Sequence, residues 1–372
     1  MIKNKPVALA CSAALALALA ACGSSNNSGG TSSSTTKSTT SSVSVTISGA
    51  GSTFAAPVYE QWGSELKSSG LTLNYQPVGS GAGITSLESK TVDFGASDPP
   101  LKAADEASVA KNGSPSVQIP MFLGAITVSY NLPGVKAGLK LEGKTIADIF
   151  LGKVKTWSDP EIKALNPGVS LPSTPITVIH RSDSSGTTDG FTGFLSDVDP
   201  EWKSKVGEGK TVPWPTGTGE KGNAGVAGGV EQTTGAVGYV EQAYALKHKF
   251  TYASVQNKSG KFVEPTLEST SAAAEGVTIP ANLGIKISNP TAPSAYPITS
   301  QTFVVVNKDL CKAGIPGGET AAKGVAKFLE YGLGEGQNIL SKADYAKLPA
   351  AILEKSKAAL ASLECDGKPL SS

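Results

Sequence analysis

Apolar and polar positions along this chain repeat one plan: a short strand pattern, a turn rich in Gly and Ser, then a stretch with helical period. In "SVSVTISGAGSTFAAPVYEQWGSEL" the first residues alternate as a strand does, Gly49–Gly51 predict a turn, and Val58, Trp62 and Leu66 recur at helical spacing. "LTLNYQPVGSGAGITSLES" and "TVDFGASDPPLKAADEASVAK" follow the same course, the second turning at Asp98-Pro99-Pro100. "MFLGAITVSYNL" reads as a buried strand and "GKTIADIFLGKVKTW" as a helix, while "ITVIHRSDSSGTTDGFTGFL" and "GAVGYVEQAYALKH" return to strand, turn and helix. "YPITSQTFVVVNK" predicts an apolar strand, and "TAAKGVAKFLEYGLGEGQNIL" and "PAAILEKSKAALASL" predict amphipathic helices near the end. Strands alternating with helices from about Val43 onward predict an α/β protein with largely parallel sheets.

The first forty or so residues break that plan. Lys3 and Lys5 precede a mainly apolar run, Pro6 to Ala21, of about 16 residues, which suits a secretory signal better than a membrane span. The run ends in Leu19-Ala20-Ala21-Cys22-Gly23, similar to a bacterial lipoprotein cleavage box in which Cys22 becomes the lipidated first residue; the alternative is an ordinary signal with an incidental cysteine. "GSSNNSGGTSSSTTKSTTSS" (23–42) has no apolar residue to bury and reads as a tether. Residues 1–21 are therefore expected to be a signal peptide, 22–42 a tether, and the rest a folded part held outside the cytoplasmic membrane by acyl chains.

Composition narrows the picture. A chain of 372 residues can form two lobes with cores of their own. The net charge is +1 and becomes −1 when Lys3 and Lys5 leave, and no basic run points to a nucleic-acid partner. Of the four cysteines, Cys11 leaves with the signal and Cys22 carries lipid, so Cys311 and Cys365 are expected to pair as a disulfide in an oxidising compartment. His180 and His248 are the only histidines, and no ligand spacing suggests a metal or other cofactor. Of the 32 Lys and Arg residues a single one is arginine: Arg181, in "VIHRSDSSGTTDG".

In open α/β sheets, ligands bind beyond the carboxyl ends of strands. Three such ends carry the same chemistry here: Ser52-Thr53-Phe54, Ser80-Gly81-Ala82-Gly83, and Ser184-Ser185-Gly186-Thr187-Thr188. Each sets hydroxyls and N–H groups at a helix start, where orphan donors and the helix dipole attract anions. The fork of Arg181 matches the oxygens of a tetrahedral oxyanion or carboxylate, and Asp183, two residues on, can orient that fork. Asp98 is the odd piece, since a carboxylate repels an anion unless the anion brings a proton to donate. Phosphate near neutral pH carries one and sulfate does not, so Asp98 would select by a penalty as well as by attraction. Alternatives stand beside this: Asp98 as a cap for the next helix, Arg181–Asp183 as a structural pair, a site for sulfate or another oxyanion, and a phosphoester or ester hydrolase using Ser185 with His180 or His248.

Taken together, "GAGSTFAAPVYEQW", "DFGASDPPL", "GKTIADIFLGKVKTW", "HRSDSSGTT", "GAVGYVEQAYA" and "YPITSQTF" resemble the substrate-binding proteins of bacterial high-affinity phosphate ABC transporters, over about Val45 to Leu370. The resemblance implies a two-lobed periplasmic-binding-protein fold of type II, each lobe a mostly parallel sheet flanked by helices. It implies closure around one dehydrated phosphate, delivery to transmembrane permease subunits, no enzymatic activity, and a monomer. Carried over by motif position, Thr53 donates through its hydroxyl, Phe54 through its backbone N–H, and Ser80 from the second helix start. Asp98 accepts the phosphate proton, Arg181 is the charged clamp oriented by Asp183, and Ser185, Gly186 and Thr187 complete the cage. Gly81 and Ser184 depart from the frequent pattern at positions with no ligand role. The first lobe is expected to combine 43–126 with 296–372 and the second to span 127–295, with hinge strands near Ile126 and Tyr296. A five-atom ion at the ceiling of about −1.5 kcal/mol per atom binds at low micromolar, and charge-assisted bonds in a dry cage take it further.

Overall fold

The computed structural model of this protein describes residues 44–370; the expected signal, the lipidated Cys22 and the tether lie outside the described residues. Among the described residues, nine strands make the main sheet: β1 (Val45–Gly51), β2 (Leu71–Gln76), β3 (Phe94–Ser97), β4 (Ser116–Tyr130), β5 (Thr177–Arg181), β6 (Thr218–Glu220), β7 (Ala236–Glu241), β8 (Thr251–Tyr252) and β9 (Thr299–Asn307). Their order is β2-β1-β3-β9-β4-β7-β5-β6, with β8 also paired to β4. The two wings, β2-β1-β3 and β7-β5-β6, are parallel. The centre is antiparallel, because β9 runs against β3 and β4, and β4 against β7.

The centre departs from the recurring plan for a simple reason: there the chain passes from one wing to the other and back. With 15 residues, β4 is about 50 Å long at 3.3 Å per residue, enough to serve both sides of the sheet in turn. Ser116–Ala125 pair with β9 and Ile126–Tyr130 with β7. At the change of partner the Ile126 N–H donates to Ile298 O at 2.8 Å, and the Tyr296 hydroxyl donates to Ile126 O at 3.0 Å. Nearly every residue of β4 and β9 is buried, which explains why both read as continuous apolar runs and not as alternation.

Helices flank the wings, and their ends differ from the periodicity in two places. The helix predicted across "GKTIADIFLGKVKTW" stops at Phe150, where Gly152 takes φ of +74° and turns the chain. The one predicted across "TAAKGVAKFLEYGLGEGQNIL" runs Gly318–Leu333, breaks at Gly334, and resumes as the short Gly336–Ile339. Trp62, Trp157 and Trp202 are fully buried core residues.

Close backbone approach sets the site. A Cβ on Gly83 would stand 2.4 Å from Gly51 Cα and 2.5 Å from Ala50 O, so the helix Ser80–Glu88 can lie against the end of β1 only because Gly83 lacks a side chain. Its first turn is thereby held beside the carboxyl ends of β1 and β3.

Cys311, in the helix Leu310–Ala313, is disulfide-bonded to Cys365, 54 positions on. The bond ties the C-terminal hairpin Glu364–Cys365/Lys368–Pro369 to the chain leaving β9. Replacing both cysteines by serine is expected to lower the unfolding free energy by about 4 kcal/mol in the chain-entropy account. Urea denaturation measures it, and an unchanged midpoint would mean that closing this loop constrains nothing.

Candidate functional site

Each half of the candidate site is built from the turn that follows a parallel strand. β1 leads into Ser52–Ala55, β3 into Asp98, and β5 ends on Arg181, followed by the start of the helix Gly186–Val198. Phe54, Ser80, Asp98, Arg181, Ser185 and Thr187 are all at least 97% buried, and Thr53 nearly so. The halves close tightly on each other: the Gly81 N–H donates to Ser184 O at 3.0 Å, and a Cβ on Gly186 would stand 2.3 Å from Asp98 Oδ2 and 2.5 Å from Ser80 Oγ.

Arg181 is gripped by its neighbour. Its Nε donates to Asp183 Oδ1 at 2.7 Å and its Nη2 to Asp183 Oδ2 at 2.5 Å, a bidentate pair that leaves Nη1 aimed at Thr187 Oγ1, 3.3 Å away. Burial would push the Asp183 carboxyl up, but the hydrogen bond and charge of Arg181 outweigh it and hold it below its ordinary value. The Gly222 N–H gives Asp183 Oδ1 a further bond of 3.0 Å.

Asp98 does not cap the following helix, which starts at Ala103 with Lys102 in the cap position. It points inward instead. Oδ1 accepts from Ser52 Oγ at 2.5 Å and from Thr302 Oγ1 at 3.0 Å, while Oδ2 has only a long bond from Ser80 Oγ, 3.3 Å. Burial raises its carboxyl to about 6, against the lowering effects of those hydroxyls and of Arg181. Asp98 is thus ionised above about pH 6, with one oxygen saturated and the other open to a donor from the cage.

Among the described residues, none accepts a hydrogen bond from the backbone N–H groups of Phe54, Ser80, Gly186 or Thr187. Gly186 lies against Asp98 and Ser80, and Thr187 meets Arg181; buried orphan donors beside a guanidinium suit a small oxyanion. Ser185 holds the third helix start in shape, its Oγ accepting from the Thr188 N–H at 3.0 Å.

The sequence reading passed over several participants. Asn223, fully buried at the start of the helix Gly222–Gln232, donates from Nδ2 to Thr53 Oγ1 at 2.9 Å and to Thr187 Oγ1 at 3.1 Å, joining the two halves. Its signal was a fourth strand-to-helix turn, Glu220-Lys221-Gly222-Asn223. Ser52 and Thr302 fix Asp98, and Thr302 comes from β9, too remote in sequence for spacing to reveal. Neither histidine touches Ser185: the His180 ring bonds Arg181 O and stacks on Trp214, and His248 pairs with Glu231.

Residues 30–334 match the model of the PBP superfamily domain. The chain is 43% identical to a phosphate-binding protein PstS of Haemophilus influenzae, over 84% of this chain and 91% of that one. It is 37% identical to the phosphate-binding protein PstS of Methanocaldococcus jannaschii, over 79% and 80%. Its fold is similar to a human phosphate binding apolipoprotein, with TM-score 0.69 at 21% identity over 87% and 99%. A phosphate-binding protein of Stenotrophomonas maltophilia superposes with TM-score 0.66 at 18% identity over 87% and 99%.

Proposed function

This chain belongs to the PBP superfamily and, within it, to the PstS phosphate-binding proteins, and on that premise we propose that it captures inorganic phosphate outside the cytoplasmic membrane for the permease of an ABC importer. The observation that carries the reading is the meeting of orphan N–H donors from both halves around Arg181 and Asp98. The lipid on Cys22 and the monomeric state belong to the same proposal.

The cage holds phosphate by geometry and dipoles more than by net charge. Asp98 and Asp183 already exceed Arg181 in charge, so the ion is stabilised by Arg181 together with the N–H groups of Phe54, Ser80, Gly186 and Thr187 and the hydroxyls of Thr53, Ser80 and Thr187. The ion's proton goes to Asp98 Oδ2, the carboxylate oxygen with spare acceptor capacity. Lobes of 43–126 with 296–372 and of 127–295 are supported by the partner change in β4 at Ala125/Ile126. Phosphate then favours closure because neither lobe alone offers the whole cage. The hydrolase alternative lacks its base, since Ser185 serves as a helix cap and both histidines are engaged elsewhere.

Selection against sulfate is the test. Above pH 6 the ionised Asp98 rejects an ion with no proton to give. Below pH 6 it becomes a carboxylic acid able to donate, and sulfate becomes acceptable. Titration calorimetry at pH 8 is expected to show phosphate at micromolar or tighter and sulfate about 100-fold weaker or more, an unpaired buried charge costing about 2.7 kcal/mol or more. At pH 5 the gap narrows, and Asp98→Asn narrows it at every pH. Equal binding of both ions to the wild type at pH 8 would refute the reading.

A further inference from the structure

Glu241 ends β7 and is fully buried between the two halves, yet the cage described above does not use it. Its Oε2 accepts from the Ala243 N–H at 2.8 Å and lies 2.7 Å from Tyr345 Oη. The same Tyr345 Oη lies 2.6 Å from Phe54 O. A phenol has one proton and a backbone carbonyl has none to offer. Were that proton aimed at Glu241, two bare oxygens would face each other at the Phe54 contact. Aimed at Phe54 O, it leaves Glu241 as the only source of hydrogen for the second contact.

Resting on the phosphate reading, we infer that Glu241 is a neutral carboxylic acid in the closed protein, donating its Oε2–H to Tyr345 Oη as a latch that positions the Thr53–Phe54 loop on the ion. Its other oxygen, Oε1, is buried and has no hydrogen-bond partner among the described residues, a state far cheaper for a neutral carbonyl than for a carboxylate. Burial pushes this carboxyl well above the ordinary glutamate range. The titratable groups that face it are Tyr345, Tyr244 and Asp344, none of them a cation. Around it, the Glu241 N–H donates to Asn223 Oδ1 at 3.0 Å, which turns the Asn223 Nδ2 toward Thr53 and Thr187. Tyr244 donates to Thr53 O at 2.7 Å, so the carbonyls of Thr53 and Phe54 are each held by a tyrosine hydroxyl, while the Phe54 N–H has no acceptor among the described residues. Glu241 is therefore a positioning residue, acting on the ion through Tyr345 and Asn223.

Only a carboxylic acid fits that position. Its hydroxyl oxygen accepts from Ala243 and donates to Tyr345 at once. A glutamine offers either an NH2 that opposes the Ala243 N–H or an oxygen with nothing to give Tyr345. The test is difference infrared spectroscopy of the phosphate-loaded wild type at pH 8, where Asp98 and Asp189, each raised to about 6 by burial, are ionised. A protonated-carboxyl C=O band is expected to remain there and to be absent from Glu241→Gln. Stopped-flow binding should show phosphate leaving Glu241→Gln and Tyr345→Phe about 10-fold faster or more, with association unchanged within about twofold, as for interactions made only on closure. A spectrum with carboxylate bands alone, or wild-type dissociation from Glu241→Gln, would overturn the latch. A wild type that binds no phosphate would instead sink the proposed function.

Discussion

Arg181→Ala is expected to weaken phosphate binding by about 100- to 1,000-fold, the range given by losing one partner of a buried, hydrogen-bonded charge pair at about 1.4 kcal/mol per decade. Two effects add. Among the described residues the guanidinium is the cation assigned to the cage, and its Nη1 is the group that the bidentate grip of Asp183 leaves for a ligand. Its removal also leaves the Asp183 carboxylate close to the ion without its cation, held by backbone N–H groups such as that of Gly222. Arg181→Ala with Asp183→Asn should therefore bind better than Arg181→Ala alone, although both side chains of the pair are gone. Arg181→Lys should fall between, since an ammonium restores charge but cannot engage Asp183 on two nitrogens and the ion on a third. Calorimetry with phosphate reads all four proteins, and an Arg181→Ala affinity within threefold of wild type would remove Arg181 from the site.

The residues that could be read in advance are those whose chemistry is local. Arg181 stood out as the single arginine, Asp183 by its spacing, and the three Ser/Gly helix starts by the strand-to-helix pattern. Asn223, Thr302 and Glu241 did not, because their roles exist only once separate strands converge: Thr302 reaches Asp98 across 204 positions, Glu241 reaches Tyr345 across 104, and Asn223 reaches Thr53 across 170. The polar run Thr299-Ser300-Gln301-Thr302 gave a hint of this, being costly to bury in an otherwise apolar strand unless each group has a partner. Gln301 uses its amide to join Asp98 O at 2.7 Å and Ile287 N at 3.0 Å. The mixed centre of the sheet was likewise hidden, since a strand that changes partner midway looks in sequence like one long apolar run.

Gly186→Ala is expected to abolish high-affinity binding without harming the fold. The residue occupies the first position of its helix at a backbone conformation open to any amino acid, so alanine costs nothing locally. The added carbon matters only when the lobes meet, for it would then stand 2.3 Å from Asp98 Oδ2 and 2.6 Å from Asp98 Cβ. Asp98 cannot swing aside, being held by Ser52, Thr302 and Ser80. The lobes must stop short instead, and the donors of one side no longer reach an ion seated on the other. Losing two charge-assisted bonds of about 1.5–3 kcal/mol each lowers affinity by about 1,000-fold. Thermal unfolding separates this from a folding defect. Without phosphate the variant should melt with the wild type; with phosphate at about 100 times the wild-type dissociation constant, the wild type gains about 2.7 kcal/mol and the variant almost nothing. Equal gains in both proteins would mean that an extra methyl group fits between Gly186 and Asp98 when the ion is bound, and so tight a closure could not be the loaded state.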